Sequence, residues 1–305
     1  MPEHLPPTMH WATEALWQQL VPLLPGLSVE VVHSTRSTNT TLLERARAVP
    51  DTSAGQLEAI VRASVESSAF GRRAADLQPC LLVAEHQTAG RGRQGRAWQS
   101  SLGSSLTFSL ALPLSMTDWS GLSLAIGVGV AEALDERPGD APARVGLKWP
   151  NDLWLLEAAG AGDERPTRKL GGILIETVSA GAQRLAIIGI GLNVQPFEAG
   201  ELNTGFAPLH ELEPDATAHA VLARIALPLV QAIKQFERHG FAVFADRYAA
   251  RDVLNGHAVT TTLPEVPHGI ARGVSARGEL LVEVGSGQVV RVSSGEVSVR
   301  LAPPR

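Results

Sequence analysis

Gly90-Arg91-Gly92-Arg93-Gln94-Gly95 sets three glycines around two arginines, and the apolar run from Cys80 to Ala84 leads into it. A loop of this composition brings backbone N–H groups and permanent cations close to a polyanion. The same letters match G-x-G-x-x-G, the dinucleotide-binding turn. That turn needs a helix opening inside it, so that a pyrophosphate sits on the helix N-terminus. Here the sequel is Ser105-Leu106-Thr107-Phe108-Ser109-Leu110, which alternates polar and apolar as a strand does. The expectation is a strand–loop–strand element with a cationic tip, suited to a nucleoside triphosphate or an acyl-adenylate rather than to NAD.

Five further features carry polar chemistry. Ser37-Thr38-Asn39 stands between a strand and a helix; it reads either as an N-cap or as a donor and acceptor set for a small polar ligand. Gln87 precedes the glycine loop and can both donate and accept, which suits a urea or amide, although loop polarity alone would account for it. Lys148-Trp149-Pro150-Asn151-Asp152 puts a lysine on an apolar strand, where a buried ammonium needs an anion. Asp152 serves there as a turn acceptor, a water-linked Mg²⁺ ligand or a general base. In Arg168-Lys169-Leu170-Gly171-Gly172, Lys169 enters a strand where glycines allow close approach. Asn193 closes Gly189-Ile190-Gly191-Leu192-Asn193 and is a candidate for a purine edge, or simply an Asn-containing turn. Singly, each leans toward the structural reading. Together they gather at strand ends and loop tips, where sites are built.

Periodicity supplies the elements that must hold these residues. Strands are predicted over 29–32, 81–85, 105–112, 144–149, 153–156, 169–177 and 184–192. Helices are predicted over 11–24, from a Thr41-Leu42-Leu43-Glu44 capping box to about 48, near 57–69, and over 119–134 and 216–248. Residues 157–167 read as a flexible polar insert. Beyond Asn255-Gly256, short strands are punctuated by Arg277-Gly278, Gly285-Ser286-Gly287 and Ser294-Gly295 at hairpin spacing. The fold class is α/β (α+β): a central mixed β-sheet with flanking helices plus a small C-terminal β-barrel. The expected division is an N-terminal extension with a helix (1–28), a catalytic domain (29–250) and the barrel (251–305).

Composition narrows the function. The chain has 305 residues, 44% of them hydrophobic, and a formal charge of −5, so no global electrostatic case exists for nucleic acid or a membrane. Its one cysteine, Cys80, excludes an intrachain disulfide and a cysteine-based zinc site. No lysine or arginine precedes Arg36, so a secretory signal is not expected, and no apolar stretch is long enough to span a bilayer. The expected setting is the cytoplasm. The nine histidines show no paired metal-ligand spacing, and neither a Gly-x-Ser-x-Gly elbow nor a Walker-type phosphate loop is present.

These motifs, in this order, resemble the bacterial biotin–protein ligases. The carrying residues are Ser37-Thr38-Asn39, Gly90 to Trp98, Lys148 to Asp152, Arg168 to Leu174 and Gly189 to Asn193, and the resemblance extends over about residues 30 to 300, with Phe236…Tyr248…Asp252 as the link to the small domain. The resemblance implies a class II synthetase-like biotin/lipoate ligase fold with an SH3-like C-terminal domain. It implies ATP and Mg²⁺ as cofactors, biotin as substrate, a biotinyl-5′-adenylate intermediate, and a lysine of a biotin carboxyl carrier protein as acceptor. Ser37, Thr38, Asn39, Gln87, Arg91, Gly92, Arg93, Lys169 and Gly172 would contact biotin. Gly90, Arg93, Trp98, Lys148, Asn151, Lys169 and Asn193 would contact ATP or the adenylate. Arg93, Lys148, Asp152 and Lys169 would be catalytic, with Asp152 the Mg²⁺ carboxylate. Members of the family are monomers or homodimers. Some carry a DNA-binding helix-turn-helix module; residues 1–28 lack any lysine or arginine, so a ligase without repressor function is expected. A lipoate or octanoate ligase of the same fold and a non-catalytic biotin-responsive regulator are the competing readings.

Overall fold

A computed structural model describes residues 10–48, 77–136, 141–156, 168–180, 183–198, 205–285, 287–295 and 297–302. The helix expected near 57–69 and the 157–167 insert lie outside the described residues. The first nine strands are β1 (Ser28–Thr35), β2 (Cys80–Gln87), β3 (Gly90–Arg91), β4 (Ala97–Trp98), β5 (Ser105–Pro113), β6 (Val145–Lys148), β7 (Asp152–Leu155), β8 (Arg168–Ala180) and β9 (Gln183–Asn193). Seven form one sheet in the order β1-β2-β5-β9-β8-β7-β6, while β3 and β4 pair separately as a hairpin. β1 runs parallel to β2 and the remaining neighbours are antiparallel, so the sheet is mixed, as expected.

Strand alternation sorts the side chains onto two faces. Leu81, Val83, Leu106, Phe108, Leu110, Ile188 and Ile190 share one large core with the helices Leu122–Leu134 and Ala218–His239. The opposite face carries a smaller cluster, Cys80, Leu82, Ala111, Leu185 and Ile187, closed by Leu42, Leu43 and Ala46 of the helix Thr38–Arg47. Further along that second face the side chains shrink and turn polar. Ser105, Thr107 and Ser109 of β5 sit opposite Asn193, Gly191 and Gly189 of β9, and Gly191 sits opposite Gly172 of β8. The result is a side-chain-poor trough across the middle of the sheet.

Several helix boundaries differ from expectation. Ser37, not Thr41, caps the second helix: its Oγ accepts from the Thr40 N–H at 3.5 Å, so the helix opens four residues early. The first helix is Thr13–Leu20, and the helix ending at Leu134 starts at Leu122. The long helix ends at His239 because Gly240 takes φ +68°; a short turn and the helix Ala245–Ala249 follow.

The C-terminal strands are β10 (Ala258–Thr261), β11 (His268–Val274), β12 (Leu280–Glu283), β13 (Val289–Val292) and β14 (Val299–Leu301). They form an antiparallel sheet in the order β13-β12-β11-β10-β14. Five antiparallel strands are thus present where the small barrel was expected, and among the described residues no pairing joins β13 to β14.

The segment before that sheet is tied into β6. The Leu147 N–H donates to Arg251 O at 2.7 Å, the Val253 N–H donates to Leu147 O at 3.0 Å, and Trp149 Nε1 reaches Gly278 O at 3.0 Å. Arg251 is 3% exposed and donates to Asp135 Oδ2 at 2.7 Å and to two backbone carbonyls. Burial alone would raise the Asp135 carboxyl; hydrogen bonds from the Val145 and Arg144 N–H groups and from Arg251 hold it below the ordinary carboxylate range. Removing one partner of a buried pair strands the other. Arg251→Ala is therefore expected to cost about 3 kcal/mol in urea unfolding; a change under about 1 kcal/mol would make this junction marginal to stability.

Candidate active site

Residues opposite one another in antiparallel strands share a face, and one row of them crosses five strands. Thr107 pairs with Gly191, Gly191 with Gly172, Gly172 with Asp152, and Asp152 with Lys148. The row therefore runs from the trough to a carboxylate and a lysine at the β6 edge. Between β7 and β8 the register slips: Leu153 faces Gly171 but Trp154 faces Lys169. This bulge re-aims Lys169, whose Nζ donates to Asp152 Oδ1 at 2.7 Å. A Cβ on Gly172 would lie 3.4 Å from that Nζ and 3.5 Å from Asp152 Oδ1, so the glycine keeps the space above the pair open.

Lys148 is 7% exposed; its Nζ donates to Val299 O on β14 at 2.7 Å and stands 5.3 Å from the Trp154 ring centre. Burial pushes this ammonium down to about 8, with Lys169, Arg96 and Arg300 adding to the shift and Asp152 opposing it. Arg93 is lowered from its ordinary value by burial and by Arg96, again against the pull of Asp152. Arg93, Lys148 and Lys169 thus surround one carboxylate.

The β3–β4 hairpin covers the trough. Its tip is a tight turn in which Gly92 N–H donates to Arg96 O at 2.7 Å, with Gln94 and Gly95 at positive φ. The Trp98 ring lies on Gly191, where an added Cβ would come within 2.4 Å of it. Arg93 donates to the carbonyls of Ser294 and Gly295, and Arg96 donates to Ser298 Oγ at 2.7 Å. The small C-terminal sheet and its flanking turn thereby supply acceptors to Arg93, Arg96 and Lys148.

At the other end of the trough lies a chain of polar contacts. Gln87 Oε1 accepts from the Thr38 N–H at 2.7 Å and from its hydroxyl at 3.2 Å. Ser109 Oγ meets Thr38 Oγ1 and Asn39 Oδ1, each at 2.6 Å. Among the described residues, the Nε2 of Gln87 keeps its donors for a guest, and it sits near Gly90. A pocket of about 550 Å³ opens between Gln87, Gly90, Trp98, Ser101, Phe197 and Glu198. Lys148, Asp152 and Lys169 do not line it; the hairpin and the residues around Ser294 close over them.

The structure thus brings Ser37, Thr38, Asn39, Gln87, Gly90, Arg91 and Trp98 to one end of the trough. Arg93, Lys148, Asp152, Lys169 and Gly172 meet at the other. Gly92 stands in the turn between them. Asn39 does not face the trough as a free group, because both ends of its amide are engaged by the protein. Asn151 and Asn193 act as ties here: Asn151 Nδ2 donates to Ile173 O at 2.7 Å and Asn193 Nδ2 to Lys169 O at 3.1 Å. Asp152 is the acidic residue of the cation cluster, and no group of three potential metal-binding side chains occurs among the described residues. Sequence reasoning missed Ser109, whose signal was the polar alternation of β5. It also missed Phe206, which stacks edge-on with Phe197 at 4.9 Å while its neighbours Gly205 and Ala207 bond the Lys169 backbone. No helix among the described residues is long and apolar enough to cross a membrane.

Two family models match: the biotin/lipoate A/B protein ligase family over residues 74–193 and the biotin protein ligase C terminal domain over residues 256–300. The chain is 35% identical over 230 residues to the biotin–[acetyl-CoA-carboxylase] ligase of Mycobacterium tuberculosis, covering 73% of this chain and 80% of that protein. It is 34% identical over 226 residues to the bifunctional ligase/repressor BirA of Escherichia coli, covering 72% of this chain and 66% of that protein. Among solved structures, the biotin protein ligase of Aquifex aeolicus in complex with biotin and ATP superposes with a TM-score of 0.66 at 26% identity, over 90% of this chain and 99% of that one.

Lys148 carries its own test. Its value in the folded protein, about 8, lies below the 10.5 of an unperturbed lysine, so between those values the unfolded chain binds more protons and stability rises with pH. Lys148→Met should therefore be the more stable protein near neutrality, by about 1–3 kcal/mol, and the difference should shrink toward pH 10 in urea titrations. A gap that does not narrow would mean that the ammonium is not desolvated.

Proposed function

The chain belongs to the biotin protein ligase family, and on that premise we propose that it couples biotin to MgATP and then to a carrier protein. In the first step a biotin carboxylate oxygen attacks the α-phosphorus of ATP; the bond to the β-phosphate oxygen breaks and pyrophosphate leaves. In the second, the ε-amine of a carrier lysine attacks the acyl carbon of biotinyl-5′-adenylate, AMP leaves, and the amine gives up its proton. The acceptor is the biotin carboxyl carrier protein of a carboxylase such as acetyl-CoA carboxylase.

The observation that carries this reading is the cation group at the end of the trough. Attack of a carboxylate on a triphosphate brings like charges together, so fixed cations aimed at the α-phosphate lower the barrier. Arg93, Lys148 and Lys169 serve that purpose, and the one carboxylate among them, Asp152, leaves the cluster net positive. Mg²⁺ keeps most of its water and binds through one or two carboxylates plus substrate phosphates. Asp152 fits that demand as the protein ligand for an ion arriving on ATP, where it would screen the phosphate charge. Phe206, beside Lys169, offers an apolar ring for the purine.

The far end of the trough takes the ureido ring. Gln87, held through its Oε1 by Thr38, would meet it with Nε2, and Ser37 Oγ would add an acceptor. The hairpin lies over the reacting atoms and excludes water, which protects an easily hydrolysed adenylate. Arg93 rests on the Ser294 and Gly295 carbonyls and Arg96 on the Ser298 hydroxyl, so nucleotide would recruit these two cations from those acceptors.

The deciding experiment is pyrophosphate release from MgATP with biotin, with lipoate and with neither. Release with biotin alone is the expected result; release with lipoate alone would keep the fold and change the substrate, and release with neither would end the ligase reading. Arg93→Ala is expected to loosen the cover, so that free adenylate and labelling of bystander lysines both rise about tenfold. Bystander labelling at the wild-type level would remove Arg93 from that role.

A further inference from the structure

The trough has a buttress that the ligase reading does not use. Glu176 lies on β8, opposite Ile187, with its side chain 22% exposed. One carboxylate oxygen, Oε2, accepts from Asn39 Nδ2 at 2.9 Å; the other, Oε1, accepts from Arg91 at 2.9 Å. Arg91 also donates to Thr40 Oγ1 at 3.3 Å. The covering hairpin is thus pinned at its first residues to the helix that begins at Thr38.

Asn39 cannot turn away. It is 3% exposed, its Oδ1 accepts from Ser109 Oγ, and a Cβ on Gly189 would stand 2.2 Å from that oxygen. The contacts form one path: Gln87 to Thr38, Thr38 to Ser109, Ser109 to Asn39, Asn39 to Glu176, and Glu176 to Arg91. Gln87 ends β2 just before the covering hairpin and Arg91 lies in the first strand of that hairpin, and the path joins the two.

We propose that Glu176 is a positioning residue for biotin, holding Asn39 and Arg91 so that the ureido pocket and the base of its cover stay in register. The proposal rests on the ligase reading of the site. A carboxylate is required because the two groups turned toward it, Asn39 Nδ2 and the Arg91 guanidinium, are both donors, while Asn39 Oδ1 is taken by Ser109. The amide introduced by Glu176→Gln would present one acceptor and one donor, so this isosteric change satisfies a single arm.

The test compares wild type, Glu176→Gln and Glu176→Asp by steady-state pyrophosphate release, by direct biotin binding without ATP, and by thermal midpoint. For Glu176→Gln, biotin KM and Kd are expected to rise about tenfold, as for loss of one charge-assisted hydrogen bond. ATP KM should stay within about twofold, and the thermal midpoint should hold because the ion pair is partly exposed. Glu176→Asp keeps the charge and should show a smaller rise; it also decides the matter if the glutamine variant does not fold. Unchanged biotin KM and Kd in an active background would overturn the proposal. So would parallel losses in biotin KM, ATP KM and thermal midpoint, which would mark a purely structural role. A wild type without biotin-dependent pyrophosphate release would fail at the ligase reading itself, and the proposal would fall with it.

Discussion

Charge crowding is the constraint on which the rest of the molecule depends. Arg93, Lys148 and Lys169 are held near one carboxylate, Asp152, with Lys148 almost wholly out of water. Left alone, such a group would push apart or lose protons. The fold meets the strain with neutral acceptors rather than with more acids. Val299 O takes Lys148, and the Ser294 and Gly295 carbonyls take Arg93. Carbonyl oxygens satisfy the donors yet leave the net charge positive, which is the condition an incoming polyanion needs. Additional carboxylates would have stabilised the cations at the cost of that net positive charge.

Room is the second requirement, and the sheet supplies it by subtraction. On the trough face of β9, Leu185 and Ile187 give way to Gly189 and Gly191, while β5 offers Ser105, Thr107 and Ser109 beside them. The same alternation that buries Ile188 and Ile190 under helices opens the other face to Asn39 and Trp98. One strand therefore builds core on one side and the trough floor on the other, and neither side can shift register without spoiling both.

Much of this was legible in the residues. The strands were found because period-two alternation is strong in β5 and the isoleucine run of β9, and the rejection of a nucleotide-binding helix followed from what came after Gly95. Boundaries were harder. Thr41 imitated a capping box, yet Ser37 won because its extended backbone let Oγ reach the Thr40 N–H. The clustering of Arg93, Lys148, Asp152 and Lys169 was readable through motif order, but the acceptors of Arg93 and Lys148 were not. Ser294, Gly295 and Val299 act through backbone carbonyls, which any residue type would offer equally. Asn39 was named for its type, as a ligand contact, and the structure adds that Ser109 on β5 and Leu174 and Glu176 on β8 already use its amide. Glu176 carried no local signal, since its two partners come from distant segments.

The acceptors of Arg93 lie 201 and 202 residues further along the chain than the arginine itself. During synthesis the ribosome therefore delivers the hairpin, the trough and all three cations long before the carbonyls that quiet them. Until those carbonyls emerge, Arg93 lacks the acceptors that seat it in the folded protein. The C-terminal sheet is thus a late fastener, whose arrival turns an exposed basic loop, prone to stray contacts with nucleic acids and other polyanions, into a seated one.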